Sequence, residues 1–265
     1  MTYSPVEEPP QSPQNDIPTS PPPSEQQPAR IPVELPVQRP VVTYVILGVT
    51  IIFYLMQVLS GLLLGVDYLA YFGMKINEFI QLGQVWRLFT PMLLHGSPLH
   101  IGFNMYALYS IGRSLERYYG HFRFILLYIV AGFAGNVVSF LFTTAPSLGA
   151  STAIFGLIAA EGVFIFNNRS LFGKQQSQRM LSNIGMIILI NLMLGTSASI
   201  DNMGHLGGLL GGLAYSWLAG PLLQLRQDAF SFRLEDKRPP SQAWISAFGV
   251  IAIFSIAVVA NILFL

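Results

Sequence analysis

Ser151, in the run Gly149-Ala150-Ser151-Thr152-Ala153-Ile154-Phe155-Gly156, and His205, in Gly204-His205-Leu206-Gly207-Gly208, each fall two residues inside the start of a membrane-length apolar segment. Chemically capable polar side chains are costly in hydrocarbon and mark functional sites there, so two at matched depth point to a reaction site within the membrane. The chemistry open to this pair is nucleophilic acyl transfer, in which neutral His205 accepts the Ser151 proton as the serine oxygen attacks a carbonyl. The tetrahedral intermediate is anionic and needs donors aimed at its oxygen. His100 and Asn104, four residues apart and so on one helix face, suit that task, as does the Ser151 backbone amide near its helix start. Phe155, one turn beyond Ser151 on the same face, either holds the imidazole by stacking or packs against lipid or core.

The elements that must position these groups are read from hydropathy. Of the 265 residues, 52% are hydrophobic and only 10% charged, and the mean hydropathy is +0.52, which together describe an all-α polytopic membrane protein. About 20 helical residues cross a bilayer core, and seven spans are predicted, near 43–65, 98–116, 121–143, 149–167, 181–200, 203–222 and 243–265. The first 42 residues differ in kind: they hold twelve of the eighteen prolines, with Ser, Gln and Glu, and are expected to form a disordered tail of polyproline character, a spacer in preference to a ligand for a Pro-binding domain. That tail has no basic start leading into an apolar stretch and is not read as a signal peptide. The organisation expected is therefore a tail (1–42), a six-helix core (43–222), a connector (223–242) and a seventh helix (243–265). A net charge of +1 without basic runs argues against a nucleic-acid partner. The absence of cysteine excludes disulfides, thiolate metal sites and a cysteine nucleophile.

Basic residues flanking the spans set the expected orientation. Arg30, Arg39, Arg113, Arg117, Arg123, Arg169, Lys174, Arg179, Arg226, Arg233, Lys237 and Arg238 fall on one side, twelve of the fourteen, leaving Lys75 and Arg87 in the long first connection on the other. The amino terminus is expected in the cytoplasm and the carboxyl terminus outside. Segments two, four and six then run inward from the outer face, each with its polar residues near the start, so His100, Asn104, Ser151 and His205 converge at one depth. Gly204, Gly208 and Gly212 form a small-residue stripe that lets a second helix approach closely, and Gly149, Ala150, Ala153, Gly156, Ala159 and Ala160 offer the matching surface. Small stripes and interhelical serines also occur as plain packing features; the shared depth favours a site.

These residues resemble the rhomboid intramembrane serine proteases. The likeness rests on His95-Gly96-Ser97-Pro98-Leu99-His100-Ile101-Gly102-Phe103-Asn104, on the Gly-x-Ser at 149–151, on His205 followed by Gly208 and Gly212, on Trp86-Arg87 and on Gly112-Arg113-Ser114-Leu115-Glu116, and it covers about residues 43–222. The resemblance implies a six-plus-one helical bundle and a Ser151–His205 dyad that cleaves single-pass transmembrane proteins near the outer face of the bilayer, without metal or other cofactor. It implies oxyanion-stabilising roles for His100 and Asn104, a supporting role for His95, and an interfacial first loop shaped by Trp86 and Arg87. The expected location is a bacterial plasma (inner) membrane. Thr152 departs from the commoner Gly-x-Ser-Gly pattern, placing a β-branched residue and a second hydroxyl beside the nucleophile.

Asp201, four before His205, is read as a helix cap rather than a triad acid. Glu161, ten residues past Ser151, lies about 15 Å deeper at roughly 1.5 Å per residue and is too far to serve as proton partner. His95 and His100, without a His-Glu-x-x-His pattern, make a poor metal signature, and His121 is expected at the cytoplasmic interface. Two other classes of function remain: a rhomboid-like pseudoprotease that binds or remodels membrane clients, and, more remotely, a transporter, against which stand the lack of an internal repeat and the clustering of polar groups toward one face.

Overall fold

A computed structural model of the chain describes residues 33–34, 38–195, 200–227 and 232–264. The segment expected to be disordered falls mostly on 1–32 and 35–37, outside those residues. Its described end differs from that expectation: Val33–Glu34 form β1, in parallel with β3 (Phe232–Asp236), which pairs antiparallel with β2 (Leu223–Gln227). A hairpin edge offers unpaired N–H and C=O groups to any extended segment that reaches it, so the connector 223–242 holds a small sheet rather than irregular chain.

Everything else that positions the site is helical. The first span is α1 (Val41–Leu64), which starts after Pro40 and closes at Gly65, whose φ of 73° returns its N–H to the Gly61 carbonyl. Thr43, Ile46, Thr50, Gln57 and Ser60 form its buried face, while Ile52, Leu55, Leu59, Leu62 and Leu63 point outward. A helix in lipid gains nothing by hiding leucine, so its polar groups turn inward.

The long first connection folds into α2 (Tyr68–Gly73), α3 (Asn77–Gln81) and two 3₁₀ turns, Val85–Leu88 and Thr90–Leu93. Next, α4 (Pro98–Ala107) passes through a π turn, Leu108–Gly112, into α5 (Arg113–Phe142), with Gly120 leaving helical geometry at φ 73°, ψ 162° between the second and third expected segments. There follow α6 (Ser151–Asn167), the single turn α7 (Arg169–Phe172), α8 (Lys174–Leu194), α9 (Asn202–Ala219) and α10 (Ser241–Phe264). Helix α8 begins earlier than the expected 181, because Lys174-Gln175-Gln176-Ser177-Gln178-Arg179 contains good helix formers. Among the described residues, Val41–Leu64, Pro98–Phe142, Lys174–Leu194 and Ser241–Phe264 are long and apolar enough to cross a membrane, and α6 is a shorter apolar helix.

The motif Gly112–Glu116 docks α1. A Cβ on Gly112 would come within 3.0 Å of Thr43, and buried Glu116 accepts from the amides of Val42 and Thr43, at 2.8 and 2.7 Å, and from the Thr43 hydroxyl at 2.6 Å. A carboxylate at a helix start satisfies orphan amides and meets the positive end of the dipole. His121 pairs with the same Glu116 through Nδ1 at 2.6 Å.

At the centre, α9 lies between α5 and α6 on two glycine stripes. A Cβ on Gly208 would overlap the Thr152 carbonyl and one on Gly212 the Gly156 backbone, both on α6; Gly207 and Gly211 face Val138 and Ala134 of α5 in the same way. Ala243, Ala247 and Val250 of α10 join the core around these helices.

An added methyl at Gly212 must push two backbones apart, whereas one at Gly249 meets nothing within 4 Å. Thermal unfolding in detergent is expected to show Gly212→Ala destabilised by about 1–3 kcal/mol, the usual range for overpacking, with Gly249→Ala unchanged. Equal midpoints would contradict this packing.

Candidate active site

Ser151 is the first residue of α6 and is delivered by a bend at Gly149, whose φ of 139° suits glycine. His205 sits in the first turn of α9 and is 8% exposed. The glycine contact between the two helices brings Nε2 of His205 to 2.9 Å from Oγ of Ser151. A serine hydroxyl that donates to Nε2 requires the ring proton on Nδ1, an assignment made from the hydrogen bond itself. Phe155 lies flat on the imidazole, ring centroids 4.1 Å apart and planes within 9°, so the stacking alternative is the one realised.

Asp201 caps α9: Oδ1 accepts from the Gly204 amide at 2.8 Å and Oδ2 from the Ser139 hydroxyl. Among the described residues Nδ1 of His205 is buried without a partner, so Asp201 does not orient the ring by a hydrogen bond.

His100 closes the other side. Its imidazole lies against Gly149, where an added Cβ would come 2.8 Å from Cε1 and Nε2, and that same position is 3.6 Å from Ser151 Oγ. His95 meets His100 edge-on at 5.1 Å between centroids and accepts from the Ala150 amide through Nε2 at 3.4 Å. Gln57 of α1 holds His95 by its main chain, accepting from the amide at 3.0 Å and donating to the carbonyl at 3.3 Å. Asn104 is buried one turn along α4 from His100, with its amide donated back to the His100 carbonyl at 2.9 Å. Glu161 is elsewhere, lining a cavity of about 80 Å³ with Ser114, Tyr118 and Met180. Among the described residues no group of three or more His, Asp or Glu is arranged to hold a metal ion.

The sequence has counterparts among known proteins. A model of the rhomboid domain matches residues 82–222, more than half of the chain. The chain belongs to the rhomboid family. It is 42% identical over 171 residues to the rhomboid protease GluP of Bacillus subtilis (strain 168), which covers 64% of this chain and 33% of that protein. Rhomboid-like protease 1 of Toxoplasma gondii is 35% identical over 190 residues, covering 69% and 60%, and the chloroplastic RHOMBOID-like protein 9 of Arabidopsis thaliana is 35% identical over 154, covering 58% and 36%. The chain spans between a third and three fifths of the length of these relatives.

As a rhomboid, the protein is a multi-pass helical membrane protein, and its first loop is organised around Arg87. That guanidinium is buried, donates to Gln84 Oε1 at 2.8 Å and to the carbonyls of Met74 and Tyr71 at 2.8 and 2.9 Å, and lies over the Phe79 ring. Trp86 stays half-exposed and donates to the Phe72 carbonyl at 3.1 Å. Thr152, the departure from the rhomboid pattern, turns away from the dyad and wedges its side chain against Gly135 of α5 and Gly204 of α9. Glycines opposite it make room for the β-branched side chain.

Sequence reasoning missed Gln57, Lys75 and Ser139 as supports of this rhomboid site. Gln57 and Ser139 carried a usable signal, being polar residues inside apolar runs. Lys75 carried none, since its partners are main-chain carbonyls at and just past the end of α5: Nζ donates to Thr143 at 2.8 Å and, more distantly, to Ser139 at 3.5 Å. Burial brings the Lys75 ammonium down from 10.5 to about 8, against the upward pull of the Asp201 and Glu78 carboxylates.

Gly149→Ala combines a backbone conformation hostile to alanine with a clash on His100. Labelling of Ser151 by a fluorophosphonate is expected to slow at least about tenfold, as misplacement of a reacting group costs up to about a hundredfold. Labelling at the wild-type rate would contradict the placement of His100 and Gly149.

Proposed function

We propose that this rhomboid is an intramembrane serine endopeptidase that cleaves single-pass transmembrane proteins near the outer membrane face through a Ser151–His205 dyad. The observation that carries the reading is the 2.9 Å contact between Ser151 Oγ and His205 Nε2, with the imidazole stacked on Phe155, at the start of a helix in a membrane-embedded bundle. The Bacillus and Toxoplasma relatives, both named as proteases, support it.

The chemistry follows from the geometry. His205 Nε2 takes the hydroxyl proton as Oγ bonds to the substrate carbonyl carbon, and the carbonyl oxygen becomes anionic. The Ser151 amide, in the first turn of α6 where amides lack intrahelical partners, faces that oxygen together with the side chains of His100 and Asn104, one turn apart on α4. Collapse of the intermediate breaks the C–N bond, and the imidazolium gives its proton to the departing amine. A water then repeats the sequence on the acyl-enzyme: His205 takes its proton, Ser151 leaves, and the dyad is restored. No step calls on a metal or other cofactor.

A substrate helix hides its peptide bonds in its own hydrogen bonds, so the site favours segments whose helix is weakened near the cut. In this reading the chain crosses a bacterial plasma membrane seven times, with the tail cytoplasmic and α10 ending outside, as the distribution of twelve of fourteen basic residues argues.

Purified protein in detergent, given a single-pass substrate with a chelator present, is expected to cleave it, and Ser151→Ala and His205→Ala are each expected to lower the rate by at least about a thousandfold. Undiminished cleavage by Ser151→Ala would overturn the reading. A stable complex with uncut substrate from the wild-type chain would favour a client-binding pseudoprotease instead.

A further inference from the structure

The connection from α5 to α6 delivers the nucleophile, so whatever fixes its path fixes Ser151. Residues 143–150 form no helix of their own, and they are gripped from the first loop. Lys75 and Ser147 exchange both main-chain hydrogen bonds, at 2.9 and 3.1 Å, and the Gly149 amide donates to the Pro91 carbonyl at 2.9 Å. The Lys75 ammonium, fully buried, reaches the Thr143 carbonyl at the start of the same connection, beside the Asn77 amide, which donates to that carbonyl at 3.1 Å. Lys75 therefore holds the connection twice, through its main chain and through its side chain.

The grip extends to the histidine. Ser139 of α5 accepts from the Lys75 ammonium through its carbonyl and donates its hydroxyl to Asp201, the cap of α9 four residues before His205. Lys75 and Asp201 also attract one another as opposite charges. Desolvating an ammonium is unfavourable, and an apolar side chain of similar length would fill the space without that cost. What the ammonium adds is direction: donors aimed at the end of α5.

We propose that Lys75, Ser139 and Asp201 form a positioning relay that holds the starts of α6 and α9 in register, with Lys75 the positioning residue for Ser151. The relay rests on the peptidase reading. It touches neither Oγ nor Nε2, so it acts on how well the dyad is aligned rather than on how substrate binds.

The test measures kcat and KM on a transmembrane substrate, together with fluorophosphonate labelling of Ser151, for the full chain carrying Lys75→Met or Ser139→Ala. The relay predicts kcat lower by about 10- to 100-fold, the cost of a small misplacement of reacting groups, with KM within about twofold and labelling slowed in parallel. Wild-type kcat in both variants, or a loss confined to KM, overturns it. If Lys75→Met does not fold, Ser139→Ala decides alone, since it subtracts one hydroxyl, and wild-type kcat there overturns the relay. A wild-type chain that neither labels nor cleaves would remove the peptidase reading and the relay with it, whereas an active wild type with equally active variants removes only the relay.

Discussion

Two helix backbones, α6 and α9, lie so close that no Cβ fits between them, and the rest of the site depends on that approach. Ser151 and His205 are 54 residues apart in the chain, and their hydrogen bond is 2.9 Å long. Such a bond contributes little in a membrane, about 0.6 kcal/mol on average for interhelical pairs, far too little to draw two helices together. The order of cause runs the other way. Gly208 and Gly212 let α9 settle onto Thr152 and Gly156 of α6, Gly207 and Gly211 let it settle onto α5, and the dyad distance is set by those contacts. Phe155 then fixes the ring on the face that the packing has chosen.

Around this contact, polar groups are used where water cannot serve. In lipid an unpaired backbone group is costly, and the first connection is long and irregular, so its carbonyls need donors from within the protein. Arg87 supplies them for the turns at Tyr71 and Met74, and Lys75 and Asn77 supply them for the end of α5. Glu116 does the same for the amides at the start of α1. Gln57 reaches from α1 to the main chain of His95, and His95 reaches on to Ala150, beside Ser151. The loop that looks peripheral in sequence is thus continuous with the start of α6 by hydrogen bonds.

The meeting of Ser151 with His205 was legible because rare polar residues inside apolar runs stand out against a simple background, and the stripe at Gly204, Gly208 and Gly212 announced a close helix contact. The cap at Asp201 was legible from its place before a helix. The partners of the second stripe, Gly207 and Gly211, were not, since spacing shows that a face is small but not which helix meets it. Phe155 was undecided for a similar reason: a phenylalanine one turn from a serine packs equally well on lipid. Lys75 was read only as a loop charge, because its role depends on main-chain carbonyls whose positions exist only once the chain has folded. The strand at Val33–Glu34 was missed because a two-residue segment inside a proline-rich stretch carries no periodicity, and its pairing is decided by the neighbouring hairpin.

The measurement that bears most directly on the account is the turnover of Gly208→Ala in protein shown to be folded, with kcat and KM determined separately. If the α6–α9 approach sets the alignment of Ser151 with His205, the added methyl lowers kcat by about a hundredfold, the scale expected for a displacement near 1 Å, and leaves KM within about twofold. A folded Gly208→Ala protein that turns over at the wild-type rate would contradict it.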